Sequence, residues 1–482
     1  MRSLLASLVT AAAVALAGCS LDLTNPNNPT LDGALKNPRD ATSRMITGVL
    51  ATYRDNRAIQ IRAFGSFGRE TYYMFITDGR FITGPYRDWR LNNSFEAGTQ
   101  WAARYQNWRN AYAAIQIVNS TSALTTAEKA GALSVLQTFM ALDLLHTIEA
   151  RDSIGASVDI TADVNAVLPI VPRDSVYTWI SAKLDEAKTN LDAAGSSFYF
   201  PMHAGFRAFG VDASTPAGFA RFNRALKARV EAKRGSLGCG ATCYTTALTA
   251  LSQTWIANLD STNRDNGVYV IYGAAAGDLL NFASFAGDPN YYVHPSIDSI
   301  PGVATDDRYR RKVAISTSAC PTSYPSPQTE VGVTATHRTC TYPTNVTPVP
   351  VIRNEELVLL RAEARWFTGD TAGAHADLAA VRAGSGATRG GTAAVRFATP
   401  AVDSEFVSEL LLQGTLSLYQ EGHRWVDYRR FGRLAGLGIL GQDVTQGFTV
   451  APYSVLPPQE CDSRSRAGNP GGIPRSCPGG LP

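Results

Sequence analysis

Apolar side chains recur at intervals of three and four along much of the chain, the spacing of one buried helix face. Between Ala41 and Tyr53 the stripe is Met45, Ile46, Val49 and Leu50. Trp101, Tyr105, Trp108, Tyr112, Ile115 and Val118 form a longer one. A capping-box pattern, Thr125-Thr126-Ala127-Glu128, opens a helix that runs to about Ala150 through Leu133, Leu136, Met140 and Leu144. Val176, Ile180, Leu184, Ala187 and Leu191 predict a helix after Pro172. Phe219, Phe222, Leu226 and Val230 predict another, separated by a Gly-rich turn at 235–240 from a partner bearing Tyr244, Leu248, Leu251 and Trp255. Helical spacing returns at Arg353 with Leu357, Leu360 and Ala364, breaks at Gly369-Asp370, and resumes from Ala372 to Arg382. A last pair spans about Ser404 to Leu434, and the tail from Gly441 reads as loop.

Two stretches lack this period. Residues of about 60–100 and 265–350 are rich in Gly, Pro, Ser, Thr and Asn and read as short strands and loops. Long irregular stretches inside a domain are commonly functional. The predicted fold class is mainly α: tetratricopeptide-like helical hairpins with an irregular, loop-rich ligand-binding lobe. No consensus repeat is present literally, so the period by itself establishes helical hairpins.

The first residues have the anatomy of an export signal: Arg2, an apolar run from Leu4 to Leu16, then Leu16-Ala17-Gly18-Cys19. The last four resemble a lipobox, in which the Cys19 thiol takes the lipid. The expected organisation is a lipoprotein signal peptide at 1–18, a lipidated tether at 19–36, and one body at 37–482, with helical pairs at 37–260 and 353–435. Seven cysteines are an awkward number for an exported chain. With Cys19 assigned to lipid, six remain as sequence-local pairs: Cys239 with Cys243, Cys320 with Cys340, and Cys461 with Cys477. Disulfides are favoured over a metal site, since no CxxC occurs, though six cysteines allow about fifteen pairings. No metal and no cofactor are expected. A net charge of +3 without a basic block leaves no footprint for nucleic acid.

Several segments together resemble the SusD/RagB family of outer-membrane nutrient-binding lipoproteins, nearly end to end. They are Asn37-Pro38-Arg39-Asp40-Ala41 with Gly48, Trp108 to Ile115 with Asn119, Leu168-Pro169 with Val176-Tyr177, and Arg221-Phe222-Asn223. The C-terminal third adds Arg353 to Ala364, similar to an RxxExxLxxAEA segment, Glu421 to Arg430, similar to EGxRwxDlrR, and Leu456-Pro457-Pro458-Gln459-Glu460. The segment Leu145 to Ile154 departs from the family's LVxxFGdvPl-like loop, and the cysteine pairs are not part of its core pattern. The resemblance implies a non-enzymatic protein, lipid-anchored at the outer membrane and on the cell surface. It implies capture of a glycan or peptide oligomer, the glycan favoured, and delivery to a SusC-like TonB-dependent transporter. A surface glycan hydrolase and a helical scaffold or adhesin without a small ligand remain the alternatives.

Glu421, Arg424, Asp427 and Arg430 lie at successive intervals of three and read as an ion-pair ladder along a helix rather than as catalytic carboxylates. Glu355, Glu356 and Arg361 read likewise, and His146, on an apolar helix, reads as a structural histidine. Sugar recognition needs ring faces for the C–H face of a pyranose and Asp, Asn or Arg for its hydroxyls. Two clusters outside the helical stripes offer both: Tyr72, Tyr73, Asp78, Arg80, Tyr86, Arg87 and Trp89, and Asp288, Asn290, Tyr291, Tyr292 and His294. Their location in loops favours binding, with local packing under long loops as the other reading. The rings of the periodic 101–112 stripe read as core.

Overall fold

The computed structural model describes residues 36–479, apart from 92–98, 162, 164, 316–319, 321–326, 387–398 and 439. The signal segment, Cys19 and the tether up to residue 35 lie outside the described residues.

Helices α1 (Pro38–Phe67), α2 (Arg80–Tyr86), α3 (Thr99–Ser120), α4 (Thr126–Arg151), α5 (Arg173–Asp192), α6 (Pro216–Arg234) and α7 (Ala241–Ser252) make up the N-terminal half with strand β1 (Thr71–Tyr73). A loop-rich stretch follows with β2 (Gly267–Val270), β3 (Tyr291–Val293), α8 (Pro295–Asp298), α9 (Asp307–Lys312), β4 (Gln328–Glu330), β5 (Val333–Ala335) and β6 (Val349–Arg353). The C-terminal part holds α10 (Asn354–Trp366), α11 (Thr371–Val381), α12 (Asp403–Ser417), α13 (Arg424–Arg430), α14 (Gly441–Thr445) and α15 (Pro458–Arg466).

The helical stripes become the core. Consecutive helices α3 to α7 pack on one another, α1 packs on α3 and α4, and α10 packs on α7 and α11. Val176, Ile180, Leu184, Ala187 and Leu191 of α5 are all buried, as are Phe219, Phe222, Leu226 and Val230 of α6. The capping box on α4 forms in both directions: Glu128 N–H donates to Thr125 Oγ1 at 3.3 Å, and Thr125 N–H to Glu128 Oε2 at 2.9 Å. Residues 126–154 are long and apolar enough to cross a membrane, but 94% of that apolar window is buried inside the fold, which makes it a core helix. His146 is buried on α4 between Tyr53, Gln60 and Glu149, and burial pushes its pKa down to about 3. Trp101 and Trp108 are buried, whereas Tyr105 and Tyr112 are half-buried.

Three expectations need correction. The first helix does not stop near residue 53. It continues to Phe67, so the first irregular stretch begins there. The extension buries Ile61, Phe64 and Phe67 together with polar groups: Arg57 Nη2 donates to Glu421 O at 2.8 Å, and Gln60 Oε1 accepts from Arg104 at 3.0 Å. The tail is not all loop, since it contains α14 and α15. The charges of 421–430 do not form a ladder along one helix. Glu421 precedes α13 and pairs with Arg353 at 2.7 Å, Arg430 pairs with Glu363 of α10, and only Asp427 to Arg430, at 2.8 Å, is a pair within the helix. Glu356 and Arg361 likewise reach out, to Arg229 and to Asp377.

Disulfides join Cys239 to Cys243, Cys320 to Cys340, and Cys461 to Cys477. They sit at the α6–α7 turn, within the long irregular stretch, and between α15 and the tail.

Candidate functional site: an aromatic ledge on a two-strand ladder

The two irregular stretches meet. β1 pairs antiparallel with β3, setting Thr71 opposite Val293, Tyr72 opposite Tyr292, and Tyr73 opposite Tyr291. β1 starts where α1 ends in a sharp turn at Gly68 and Arg69. A Cβ on Gly68 would stand 2.8 Å from Phe64 O and 3.0 Å from Trp425 N, so no larger residue fits. Arg69 takes a left-handed φ of 54°.

Successive strand residues face opposite ways, and this period of two divides the tyrosines. Tyr72 faces inward. Its ring lies 5.1 Å from that of Tyr86 and 4.6 Å from that of His294, and its hydroxyl donates to Asp443. Asp443 also meets His294 Nε2 at 3.2 Å, and the Arg69 guanidinium stands 3.8 Å from the Tyr86 ring centre. All these groups are buried. Burial pushes the phenols of Tyr72 and Tyr86 up and holds His294 near 4, so this layer contains neutral rings around one carboxylate.

Tyr73 faces the other way and anchors a second, outer layer. Its ring packs against Phe81 at 4.6 Å, Tyr291 at 4.8 Å and Phe75 at 6.1 Å, and Phe75 meets Phe81 edge-on at 5.4 Å. The guanidinium of Arg62 lies 5.0 Å from the Tyr73 ring centre and 5.7 Å from that of Phe81. The Tyr73 hydroxyl donates to Asp288 Oδ2 at 2.5 Å, and Asp288 Oδ1 accepts from Asn290 Nδ2 at 2.8 Å. This layer reaches solvent at Phe75, 37% exposed, and Ile76, 71% exposed. Arg80 and Asp78 form the rim, joined by two bonds of 2.6 and 2.8 Å that hold the Asp78 carboxyl below its usual range. Glu330 of the β4–β5 hairpin lies beside Asp78, and burial with that neighbour raises its pKa.

The structure therefore brings Tyr73, Asp78, Arg80, Asp288, Asn290 and Tyr291 to one ledge. It places Tyr72, Tyr86 and Tyr292 in the buried layer beneath, where their faces are covered by protein. Trp89 packs with Phe64, Phe67 and Trp425 in a different cluster, donating Nε1–H to Thr449 at 2.9 Å, and Arg87 pairs on the surface with Asp88. Sequence reasoning passed over Phe75, Ile76, Phe81 and Arg62. The available signal was the alternation Tyr73-Phe75 running into the turn residues Thr77-Asp78-Gly79, which exposes the last apolar pair. Among the described residues no group of three or more His, Cys, Asp and Glu side chains could hold a metal ion.

Residues 314–462 match the SusD family. The fold superposes on that of a SusD superfamily protein from Bacteroides vulgatus with a TM-score of 0.63 at 14% identity, over 88% of this chain and 97% of that one. The fold of this chain is SusD-like. Its fold also matches NanU of B. fragilis, with a TM-score of 0.59 at 15% identity over 90% of this chain and 96% of that one. A laminarin-binding SusD-like protein matches with a TM-score of 0.58 at 16% identity, over 88% of this chain and 97% of that one. No curated protein matches by sequence. The mainly helical, SusD-like architecture expected from the stripes and motifs is the one observed, and in it the ledge is built from the two segments that interrupt the helices.

Proposed function

We propose that this SusD-like protein is a cell-surface glycan-binding lipoprotein, anchored at the outer membrane through Cys19, that delivers an oligosaccharide to a TonB-dependent transporter. The ledge carries the reading: partly exposed Phe75 and Phe81 supply apolar ring faces, and Asp78, Arg80 and Asn290 stand around them as hydrogen-bonding groups. A pyranose stacked on such rings keeps its equatorial hydroxyls free for the rim. The SusD-like fold and the laminarin-binding neighbour support a carbohydrate ligand. A glycosidase reading gains little from the site, because Asp78 is engaged by Arg80 and Asp288 by Tyr73.

Two measurements test this reading. The chain without residues 1–18 is titrated with neutral and charged oligosaccharides by calorimetry. The full chain is extracted from outer membranes in mild detergent and its partners identified by mass spectrometry. Saturable glycan binding without turnover, with a TonB-dependent transporter in equal amount, is expected. Glycan cleavage abolished by one Asp or Glu substitution would replace the reading with the enzyme, and recovery of the lipoprotein alone would remove the transporter.

A further inference from the structure

Strand β1, which carries Tyr72 and Tyr73, follows directly on the turn that ends α1, and that junction holds an internal carboxyl. Glu70 lies between Arg69 and Thr71, and all three are buried. Its backbone is firmly placed: Glu70 N–H donates to Gly65 O at 2.8 Å, and Glu70 O accepts from His294 N–H at 2.9 Å and from the Tyr419 hydroxyl at 3.2 Å. Its side chain is not. Neither carboxyl oxygen has a hydrogen-bond partner, and neither do Thr71 Oγ1, Gln420 Oε1, Arg69 Nε and Arg424 Nε around it. Buried polar atoms are nearly all bonded, so a group of orphans in one place marks a junction with more than one workable arrangement.

The backbone on both sides is strained. Arg69 has φ 54° and Gln420 φ 58°, left-handed values for residues that carry side chains. Such strain persists only while neighbours enforce it, and it gathers at elements with two states. The contact that holds the Arg69 carbonyl is a donor from Arg424 Nη1. The Arg424 guanidinium is also the cation that most opposes the burial of the Glu70 carboxyl. One side chain thus serves two acceptors, and the charge on Glu70 decides between them. Lys312 at the end of α9 and Glu421 before α13 also face this carboxyl and act in opposite directions. Tyr419 and His294 add no charge: burial pushes the phenol far up and holds the imidazole near 4. The Arg69 guanidinium is turned away, onto the Tyr86 ring. Burial dominates the sum, and the carboxyl keeps its proton up to about pH 8.

We propose that Glu70 is a proton-operated clasp on the ledge. With its carboxyl protonated, Arg424 stays on the Arg69 carbonyl, β1 keeps its register against β3, and Tyr73 stands where Phe75 and Phe81 pack on it. With the carboxyl ionised, Arg424 is drawn to it, the turn at Arg69 relaxes, and the ledge loosens and releases its glycan. The inference rests on the reading of the ledge as the glycan site. Linkage adds a reciprocal consequence: at alkaline pH, a ligand that needs the ordered ledge brings a proton onto Glu70 as it binds.

The test uses the chain without residues 1–18. Hydrogen exchange, corrected for intrinsic rates, follows the opening of residues 69–75 with no ligand present. Between pH of about 6.5 and about 9 these amides are expected to lose protection while those of α5 keep it. Calorimetry with laminarihexaose, a neutral probe that does not titrate, should show affinity falling at least about fivefold over the same interval, the lower end of ordinary coupling between sites. Buffers of different ionisation enthalpy should show net proton uptake on binding near the middle of that interval. Glu70→Gln should keep β1 closed and affinity high at both pH values, and a thermal melt at the lower one checks its fold. Burial brings the Lys312 ammonium to about 8, and Glu330 beside the ledge is raised as well, so this variant also separates the three groups. The proposal is overturned if residues 69–75 open equally at both pH values, if Glu70→Gln keeps the step, if binding takes up no proton, or if affinity holds while β1 opens. Laminarihexaose that binds at neither pH would count against the glycan reading of the ledge, and exchange alone would then decide the clasp.

Discussion

The Tyr73 hydroxyl donates to Asp288 Oδ2 across 215 positions of sequence, at 2.5 Å. The bond ties the two irregular segments at their outer layer. It also holds the Tyr73 ring in place as the platform against which Phe75 and Phe81 pack.

Phe75 and Phe81 are the ring faces of that platform nearest solvent. Replacing both with Ala should weaken oligosaccharide binding about tenfold, equivalent to about 1.4 kcal/mol. Stability should change little, since Phe75 is exposed and Phe81 half-buried. Calorimetric titration beside a thermal melt separates the two effects; unaltered affinity would move the ligand off the ledge.

Asp443 is the acceptor that both Tyr72 and His294 meet in the inner layer. Asp443→Ala leaves a buried phenol and an imidazole without their partner, at a cost of about 1–3 kcal/mol. A lower urea midpoint is expected, with ledge affinity reduced as β1 loosens. Tyr72→Phe should cost less, because Asp443 then keeps His294. A midpoint unchanged in Asp443→Ala would mean that water replaces the carboxylate without loss.

Glu70, at the start of β1, is fully buried, and neither side-chain oxygen has a hydrogen-bond partner. Burial raises its pKa from 4.5 to about 8, opposed by Arg424. A carboxyl that is harder to ionise in the fold than in the unfolded chain favours folding while protonated. Its contribution is complete below about 4.5 and is lost as pH rises through about 8. Glu70→Gln, a neutral isostere, should match the wild type at pH near 5 and melt a few degrees higher at pH near 8.5, as an order of magnitude. A variant that melts lower at the alkaline pH would show instead that an ionised Glu70 is held by Arg424.

The Cys320–Cys340 bridge closes a loop inside the long irregular stretch. Replacing both cysteines with Ala should lower stability by about 3 kcal/mol, the chain-entropy value for a loop of this size. Far-UV dichroism should be unaffected, because the helices lie elsewhere. An unchanged denaturation midpoint would show that the loop is already ordered by its packing.

The proposed membrane attachment through Cys19 has a direct readout. Cys19→Ala protein should appear in the soluble fraction, and protein that stays membrane-bound in high salt would refute the lipid anchor.

The helices were legible where burial is apolar. The stripes on α5 and α6 are read directly from spacing, and the Thr125–Glu128 box marks the start of α4 within a residue. The apolar stripe of α1 is interrupted in the middle, where the inner face carries Asn56, Arg57 and Gln60, whose burial is balanced by Arg104 and by the backbone of residues 350 and 421, before Ile61, Phe64 and Phe67 resume it. No local pattern reports partners so remote. The site was half legible for the same kind of reason. Composition picked out both aromatic clusters, but which rings lie beneath and which above follows from the β1–β3 register, and register belongs to the pair of strands. The 421–430 charges failed as a ladder because their spacing suits a helix, whereas Glu421 stands before α13 begins.

The β1–β3 ladder also constrains how such a surface can be altered. One residue inserted into either strand would turn its outward rings inward and its buried ones out. Changes of specificity must therefore keep the count of residues in both segments, or shift both together. A designer who wished to transplant this ledge onto another helical scaffold would have to carry residues 69–87 and 288–294 as a single matched cassette.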